Sequence, residues 1–264
     1  RAGAAAGPGA LRRALAPLAA HRLDAVEDLG DIACEGDALE AAQESFGELA
    51  AHALGAGGVV IGLGGGHEIA FASWLGLCGY LDALGDDGAV AVVNVDAHFD
   101  LRGDPRPSSG TPFRQILEDA AARGRRVEYH CLGVSRFANT AALFDRVRVL
   151  GVEYVLDEDL RSDRFAALRE GLEALLARVG HVYLTICLDA FPASVAPGVS
   201  APAALGVEPA LVERLMDVVT ASGKLRIADV AELNPALDID ARTARLAARF
   251  VARIAEAVGG QVAD

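Results

Sequence analysis

The run Asn94-Val95-Asp96-Ala97-His98-Phe99-Asp100 puts a carboxylate, an imidazole and a carboxylate at alternating positions, directly after the apolar Ala91-Val92-Val93. Alternation is strand period, so a strand end would send all three side chains to one side. Asp-x-His-x-Asp offers three convergent ligands of mixed oxygen and nitrogen type, a set suited to a divalent metal. The plainer reading is an exposed polar strand edge. Carboxylates crowded against a fully apolar stretch are costly unless something neutralises them, and a metal ion does so.

Three further groups stand at comparable places. Gly64-Gly65-Gly66-His67-Glu68 follows Val59 to Leu63 and would deliver His67 to a metal through a close-packed turn. A flexible turn or a phosphate-cradling loop are the alternatives, although the Gly-Lys-Ser/Thr ending of a P-loop is missing. Cys187 and Asp189 stand two apart after Val182-Tyr183-Leu184-Thr185-Ile186. Asp189 suits a hard divalent ion. Cys187 reads either as a small core residue or as a thiolate that draws the site toward zinc and softer ions. Glu232, in Val230-Ala231-Glu232-Leu233-Asn234-Pro235, could grip a cationic amidine or guanidine, or serve only as a capping or loop contact. Arg102, Ser109, Thr111 and Arg136 lie in loops expected to border the same mouth, where the alternative for each is a solvated loop residue. His21, His52, His130 and His181 have no partner at ligand spacing and read as surface or satisfied core histidines. With no Gly-x-Ser-x-Gly and no supported Cys–His pair, a covalent nucleophile is not expected.

The elements that must position these residues alternate along the chain. Strands are predicted at Val59 to Leu63, Ala89 to Val95, Val127 to Val134, Val152 to Leu156, His181 to Leu188 and Leu225 to Ala231. Helices are predicted at Ala10 to Leu15, Asp37 to Leu54, from Glu68 onward, Pro112 to Ala122, Asn139 to Val147, Arg164 to Val179, Pro209 to Ser222 and Asp240 to Val258. His21 to Cys34 reads as chain crossing the surface, and Leu101 to Gly110 and Pro192 to Gly206 as loops. Such alternation implies an α/β fold, a mostly parallel sheet with helices on both faces. Ligands of such sheets bind beyond the carboxyl ends of the strands, where every metal candidate falls.

The 264 residues carry a net charge of −13, with 52% hydrophobic residues. That length suits one large α/β domain, taken here as residues 1–264, with a substantial core. The acidic balance argues against nucleic acid as the main partner. No apolar run is long enough to cross a bilayer. Cys34, Cys78, Cys131 and Cys187 show no close pairing and read as reduced thiols of a cytoplasmic protein. The first residue is Arg1 rather than Met, so the natural N-terminus is expected upstream of this chain.

Gly65-Gly66-His67-Glu68, the Asn94–Asp100 run, Asp189 with its following loop, Gly7-Pro8 with Leu11-Arg12, and Glu232-Leu233-Asn234-Pro235 together resemble the ureohydrolase superfamily of arginases, agmatinases and formimidoylglutamases. The resemblance spans nearly the whole chain in the right order. Ser109-Gly110-Thr111-Pro112-Phe113, Cys131-Leu132-Gly133-Val134-Ser135 with Asn139-Thr140, and Ala196-Pro197-Gly198-Val199-Ser200-Ala201-Pro202 are most similar to the formimidoylglutamase branch. The resemblance implies a three-layer α/β/α arginase-like fold and a small anionic amidine substrate. The implied reaction, a step of histidine degradation, is hydrolysis of N-formimidoyl-L-glutamate to L-glutamate and formamide at two Mn²⁺ ions. His67 and Asp100 would hold one ion, His98 and Asp189 the other, and Asp96 both. A hydroxide bridging the ions would attack, steadied by Asp100. Glu232 would pair with the amidinium-like nitrogens, Arg102 and Arg136 with the carboxylates, and Ser109 and Thr111 would add hydrogen bonds.

Two positions depart from the superfamily pattern. Cys187-Leu188-Asp189 stands where arginase-like members carry Asp-x-Asp, whose first aspartate bridges the metals. Phe113 stands at about the place of arginase's histidine proton shuttle, which disfavours arginase itself and leaves the leaving group's proton donor unassigned. The rival readings are an agmatinase-like or guanidino-acid hydrolase, and a non-catalytic homologue with a degenerate metal site. Relatives are often oligomeric, and the sequence leaves a homo-oligomer open.

Overall fold

The computed structural model describes residues 3–21 and 26–259, and shows the expected alternation. Six strands, β1 (Val60–Leu63), β2 (Val90–Val95), β3 (Val127–Val134), β4 (Glu153–Leu156), β5 (His181–Cys187) and β6 (Leu225–Ala231), form one sheet in the order β1-β6-β5-β2-β3-β4. Every pairing is parallel. The helices are α1 (Gly7–Leu15), α2 (Leu39–Gly55), α3 (Ile69–Leu84), α4 (Pro112–Arg123), α5 (Ala141–Leu150), α6 (Phe165–Ala177), α7 (Pro209–Ala221) and α8 (Arg242–Gly259).

Period-two burial divides the core into two halves. Ala91, Val93 and Val95 of β2, with Val182, Leu184 and Ile186 of β5, face a cluster that includes Leu11, Leu175, Leu215 and Phe250 from α1, α6, α7 and α8. Val90 and Val92, with Tyr183 and Ile227, face Leu54, Trp74, Phe113 and Val147 from α2 to α5. The result is helix on sheet on helix. The inner strands β2 and β5 are buried along their whole length, which is why their sequences are almost continuously apolar.

Element ends differ from the sequence expectation by a few residues, for local reasons. Helix α1 starts at Gly7 rather than Ala10, with Pro8 in its first turn, where a missing N–H costs nothing. Helix α5 starts after Thr140, not at Asn139, because the Asn139 side chain is used elsewhere. Strand β5 stops at Cys187, and Leu188–Ala190 turn in a 3₁₀ helix. Of the surface-crossing stretch from His21 to Cys34, residues 22–25 lie outside the described residues, and residues 26–34 are exposed.

Along the sheet, β2 leads outward to β3 while β5 leads the other way to β6. The neighbours β2 and β5 therefore form a topological switch point, and the loops leaving their carboxyl ends part to open a crevice.

Candidate metal centre

The Asp-x-His-x-Asp run departs from the strand-end expectation. Strand β2 ends at Val95, so Asp96, His98 and Asp100 lie beyond it in irregular chain. Their convergence comes from a folded loop and not from strand alternation. Asp96 begins the loop by accepting the His98 backbone N–H on Oδ1 at 2.8 Å. Asp100 ends it at φ +47°, a left-handed conformation that non-glycine residues seldom adopt. Buried Phe99 and Leu101 anchor the loop to the core. Asn139 clasps it by donating to the carbonyls of Ala97 and Ser135, both at 2.9 Å, and accepting from the Phe99 N–H at 3.1 Å. The Tyr129 hydroxyl donates to the Phe99 carbonyl at 3.0 Å.

His67 enters from the neighbouring turn. Gly64 prolongs β1 by one bond to the Val230 carbonyl at 2.8 Å, close enough to β6 that a Cβ there would lie 3.0 Å from that oxygen. Glu232 faces the turn from the end of β6. Its N–H donates to the Gly65 carbonyl, and its Oε1 accepts the His67 N–H, each at 2.8 Å. Glu232 also holds a left-handed backbone, φ +73°. Of four non-glycine residues with positive φ among the described residues, two are thus site candidates, where local strain tends to collect.

The imidazole and carboxylate groups meet over the β2–β5 crevice. His67 Nδ1 lies 2.9 Å from Asp96 Oδ2 and 3.0 Å from Asp100 Oδ2. His98 Nδ1 lies 3.5 Å from Asp96 Oδ1 and 3.2 Å from Asp189 Oδ2. Asp96 therefore turns one oxygen to each histidine. The Cys187 thiol donates to Asp189 Oδ1 at 2.9 Å. Ligand atoms of His67, Asp96 and Cys187 lie within 4.8 Å of one another, as do those of Asp96, His98 and Asp189. Two adjoining groups of three share one carboxylate.

Charge is poorly balanced there. Burial pushes Asp100 and Asp189 up from the ordinary carboxylate range, and Asp96 pushes both further. Burial likewise holds Glu232 up, at about 7. Burial would raise Asp96 too, but His67 and His98 outweigh it and hold Asp96 low. Burial lowers His98, and its bonds to Asp189 and Asp96 overcome that and carry it to about 11. Four carboxyl groups and two imidazoles thus crowd one buried place where added positive charge is favoured, and a pair of cations would supply it. His67 Nδ1 is fully buried and makes no hydrogen bond of acceptable geometry, although two carboxylates stand beside it. An orphaned nitrogen lone pair among carboxylate oxygens fits a metal ion, and the donor set is chiefly of the oxygen and nitrogen type that manganese accepts.

Behind His67 lies a network that the sequence reading missed. His67 Nε2 is 3.0 Å from Thr185 Oγ1, whose hydroxyl donates to Asp229 Oδ1 at 2.5 Å. Asp229 Oδ2 receives Tyr183 at 2.6 Å and Ser73 at 2.7 Å. Because the Thr185 hydrogen is committed to Asp229, its oxygen accepts from Nε2–H. That fixes Nδ1 as the atom offered to a metal. The available signal was Asp229 itself, a carboxylate inside the otherwise apolar Ile227-Ala228-Asp229-Val230.

The loop candidates divide. Arg102 is exposed, lies over Gly110, and has no ionic partner among the described residues. Arg136 is exposed and paired with Glu158 at 2.6 Å. Ser109 is exposed. Thr111 is fully buried, with its hydroxyl shared between Ser108 and Gln115, so it shapes the loop ahead of α4. Phe113 is buried edge-on against the His67 ring, 5.1 Å between centroids, and itself stacks on Tyr129. His181 bonds Asp86 at 2.9 Å and His130 lies 3.5 Å from Glu153, both away from the crevice. The four cysteines are free. No helix among the described residues is long and apolar enough to cross a membrane.

Comparison with known proteins bears on the family and the fold. The family model described as the arginase family matches residues 1–256. A formimidoylglutamase of Ralstonia nicotianae is 54% identical over 262 residues, covering 99% of this chain and 81% of that protein. The crystal structure of formimidoylglutamase from Bacillus subtilis superposes with a TM-score of 0.82 at 21% identity, covering 96% of this chain and 81% of that one, a likeness of fold. The crystal structure of Trypanosoma cruzi formiminoglutamase with Mn²⁺ superposes with a TM-score of 0.80 at 27% identity, covering 98% of this chain and 87% of that one.

Proposed function

The chain belongs to the arginase family, and on that premise we propose that it hydrolyses N-formimidoyl-L-glutamate to L-glutamate and formamide. The observation that carries the substrate is identity of about half, over nearly the whole chain, to proteins named for that reaction. The shared fold alone would serve arginases equally.

His67, Asp96, His98, Asp100 and Asp189, with Cys187 beside them, would hold the two divalent ions expected, of the manganese kind. Bound there, such ions supply a water acidic enough to act as nucleophile near neutral pH. The chain's own groups do the rest. Glu232 keeps Oε1 on the His67 N–H, which leaves Oε2, 3.5 Å from Ser200 Oγ, to receive an N–H of the formimidoyl group. Asp100, whose Oδ2 lies 3.0 Å from His67 Nδ1, would accept a hydrogen bond from the attacking water and steady the tetrahedral intermediate. Arg102 and Arg136 would take the substrate's carboxylates bidentately, Arg136 by exchanging Glu158 for substrate. Ser109 would hydrogen-bond from the loop rim, and Thr111 would act through the loop it shapes. The C–N bond to the glutamate nitrogen breaks, water oxygen joins the formimidoyl carbon, and the departing amine gains a proton. A small-molecule enzyme of the cytoplasm, with no role for nucleic acid or membrane, is the setting proposed.

The test is turnover of N-formimidoyl-L-glutamate by metal-stripped protein titrated with Mn²⁺, detecting both products. Manganese-dependent release of formamide and glutamate is expected, with agmatine and guanidino acids inert. Turnover of agmatine alone would make it a guanidine hydrolase. Inertness toward all of them would leave a non-catalytic homologue.

A further inference from the structure

The two groups of ligands are not chemically equal. One comprises Asp96, His98 and Asp189, two carboxylates and an imidazole. The other comprises His67, Asp96 and Cys187, with Asp100 Oδ2 3.0 Å from His67 Nδ1, and it alone brings sulfur to within 4.8 Å of the other donor atoms. Cys187 is 1% exposed and stands at the last position of β5, opposite Ala231 of β6. The buried His67 Nδ1 has no hydrogen-bond partner of its own. Sulfur and an orphaned nitrogen thus bound one small space, while Thr185 keeps the ring turned to present that nitrogen. Nothing comparable surrounds Cys131, whose thiol donates to the His98 carbonyl at 3.3 Å, or Cys78, buried in α3.

We propose that Cys187 is a metal ligand, and that the position it shares with His67 and Asp96 selects a thiophilic divalent ion of the zinc or cobalt class, leaving the Asp96, His98 and Asp189 position to manganese. Thiolate donors favour softer ions, whereas imidazole with carboxylates accepts harder ones, so geometry and donor type sort two metals within one site. On binding, the Cys187 S–H bond breaks, its proton passes to solvent, and a sulfur–metal bond forms with no change of oxidation state. The Asp189 oxygen that now accepts the thiol hydrogen is freed for the neighbouring ion. The inference rests on the metal reading of the site but not on the substrate.

Cobalt reports directly on sulfur ligation through its thiolate charge-transfer absorption. Metal-stripped protein would be titrated with Co²⁺ in a Cys34→Ser background, because Cys34 is the one exposed cysteine. A charge-transfer band saturating at one equivalent per chain is expected. Cys187→Ser should abolish the band and weaken one Co²⁺ by more than ~10-fold, the lower range for losing a supporting residue. Mn²⁺ binding at the other position should persist. A measurement on unmutated protein guards against a variant that fails to fold: one equivalent of Zn²⁺ should displace one of two bound Mn²⁺, read by paramagnetic resonance. Cobalt bound without the band, or zinc displacing both manganese ions or neither, overturns the assignment and leaves the metal centre standing. Failure to bind any divalent ion overturns both.

Discussion

Asp96 and His67 show how much of the site is decided by single atoms. The shared carboxylate faces a histidine with each oxygen, and His67 is held from behind by Thr185 and Asp229. Removing the Thr185 hydroxyl while keeping its shape isolates that support. Thr185→Val should lower divalent-metal affinity about 10- to 100-fold, measured by calorimetric titration. Unchanged affinity would mean that His67 needs no orientation from Nε2. The residues that converge were legible in sequence, because Asp-x-His-x-Asp and a lone histidine after glycines have few structural uses together. The supporting residues were not. Thr185 and Asp229 belong to strands whose adjacency no local pattern announces, and a threonine in a strand looks ordinary. Thr111 misleads in the opposite sense. Its residue type suits substrate binding, yet its hydroxyl is committed to Ser108 and Gln115.

At the scale of elements, the turns after β1 and β6 and the start of α1 interlock. A Cβ on Gly7 would lie 2.7 Å from the Leu233 carbonyl oxygen and 3.1 Å from that of Gly64. Gly7→Ala would favour helix by up to ~1 kcal/mol, less at a helix end. The clash is with backbone on two sides, and overpacking of that kind costs about 1–3 kcal/mol. The clash should win, giving a net loss of stability readable as a lower urea midpoint with unchanged slope; a raised midpoint would show that α1 can lift off freely. The six strands and eight α-helices of the described residues were legible because apolar runs and turn residues punctuate the chain so regularly. Strand order was not, since parallel strands pair through long crossovers and leave no mark on neighbouring residues. Without that order, the β2–β5 switch point, which decides where the crevice opens, stays hidden.

For the whole molecule, candidate ligands drawn from beyond the ends of β1, β2 and β5 would make a bound ion a clamp across the sheet. Any ligand that binds only the folded state stabilises it, by about 2.7 kcal/mol at a hundred times its dissociation constant. For a chain this size that corresponds to a rise in Tm of about 5–10 °C. Mn²⁺ should produce such a rise, a chelator should reverse it, and Asp96→Asn should largely remove it. An unshifted Tm would mean that the groups do not close on an ion. The same clamp has a history in time. Among the described residues strand β1 pairs only with β6, and the His67 N–H meets Glu232 across 165 residues of sequence. At a ribosomal pace of about 5–20 residues per second, His67 waits on the order of ten to thirty seconds for the chain that completes its surroundings. Until β6 emerges, the flank of β5 stands open as an unpaired edge, a template for neighbouring nascent chains. On the metal reading, His67 would take its final place over the crevice only once Glu232 has emerged to hold its turn, so a newly made chain would meet the ion after that delay.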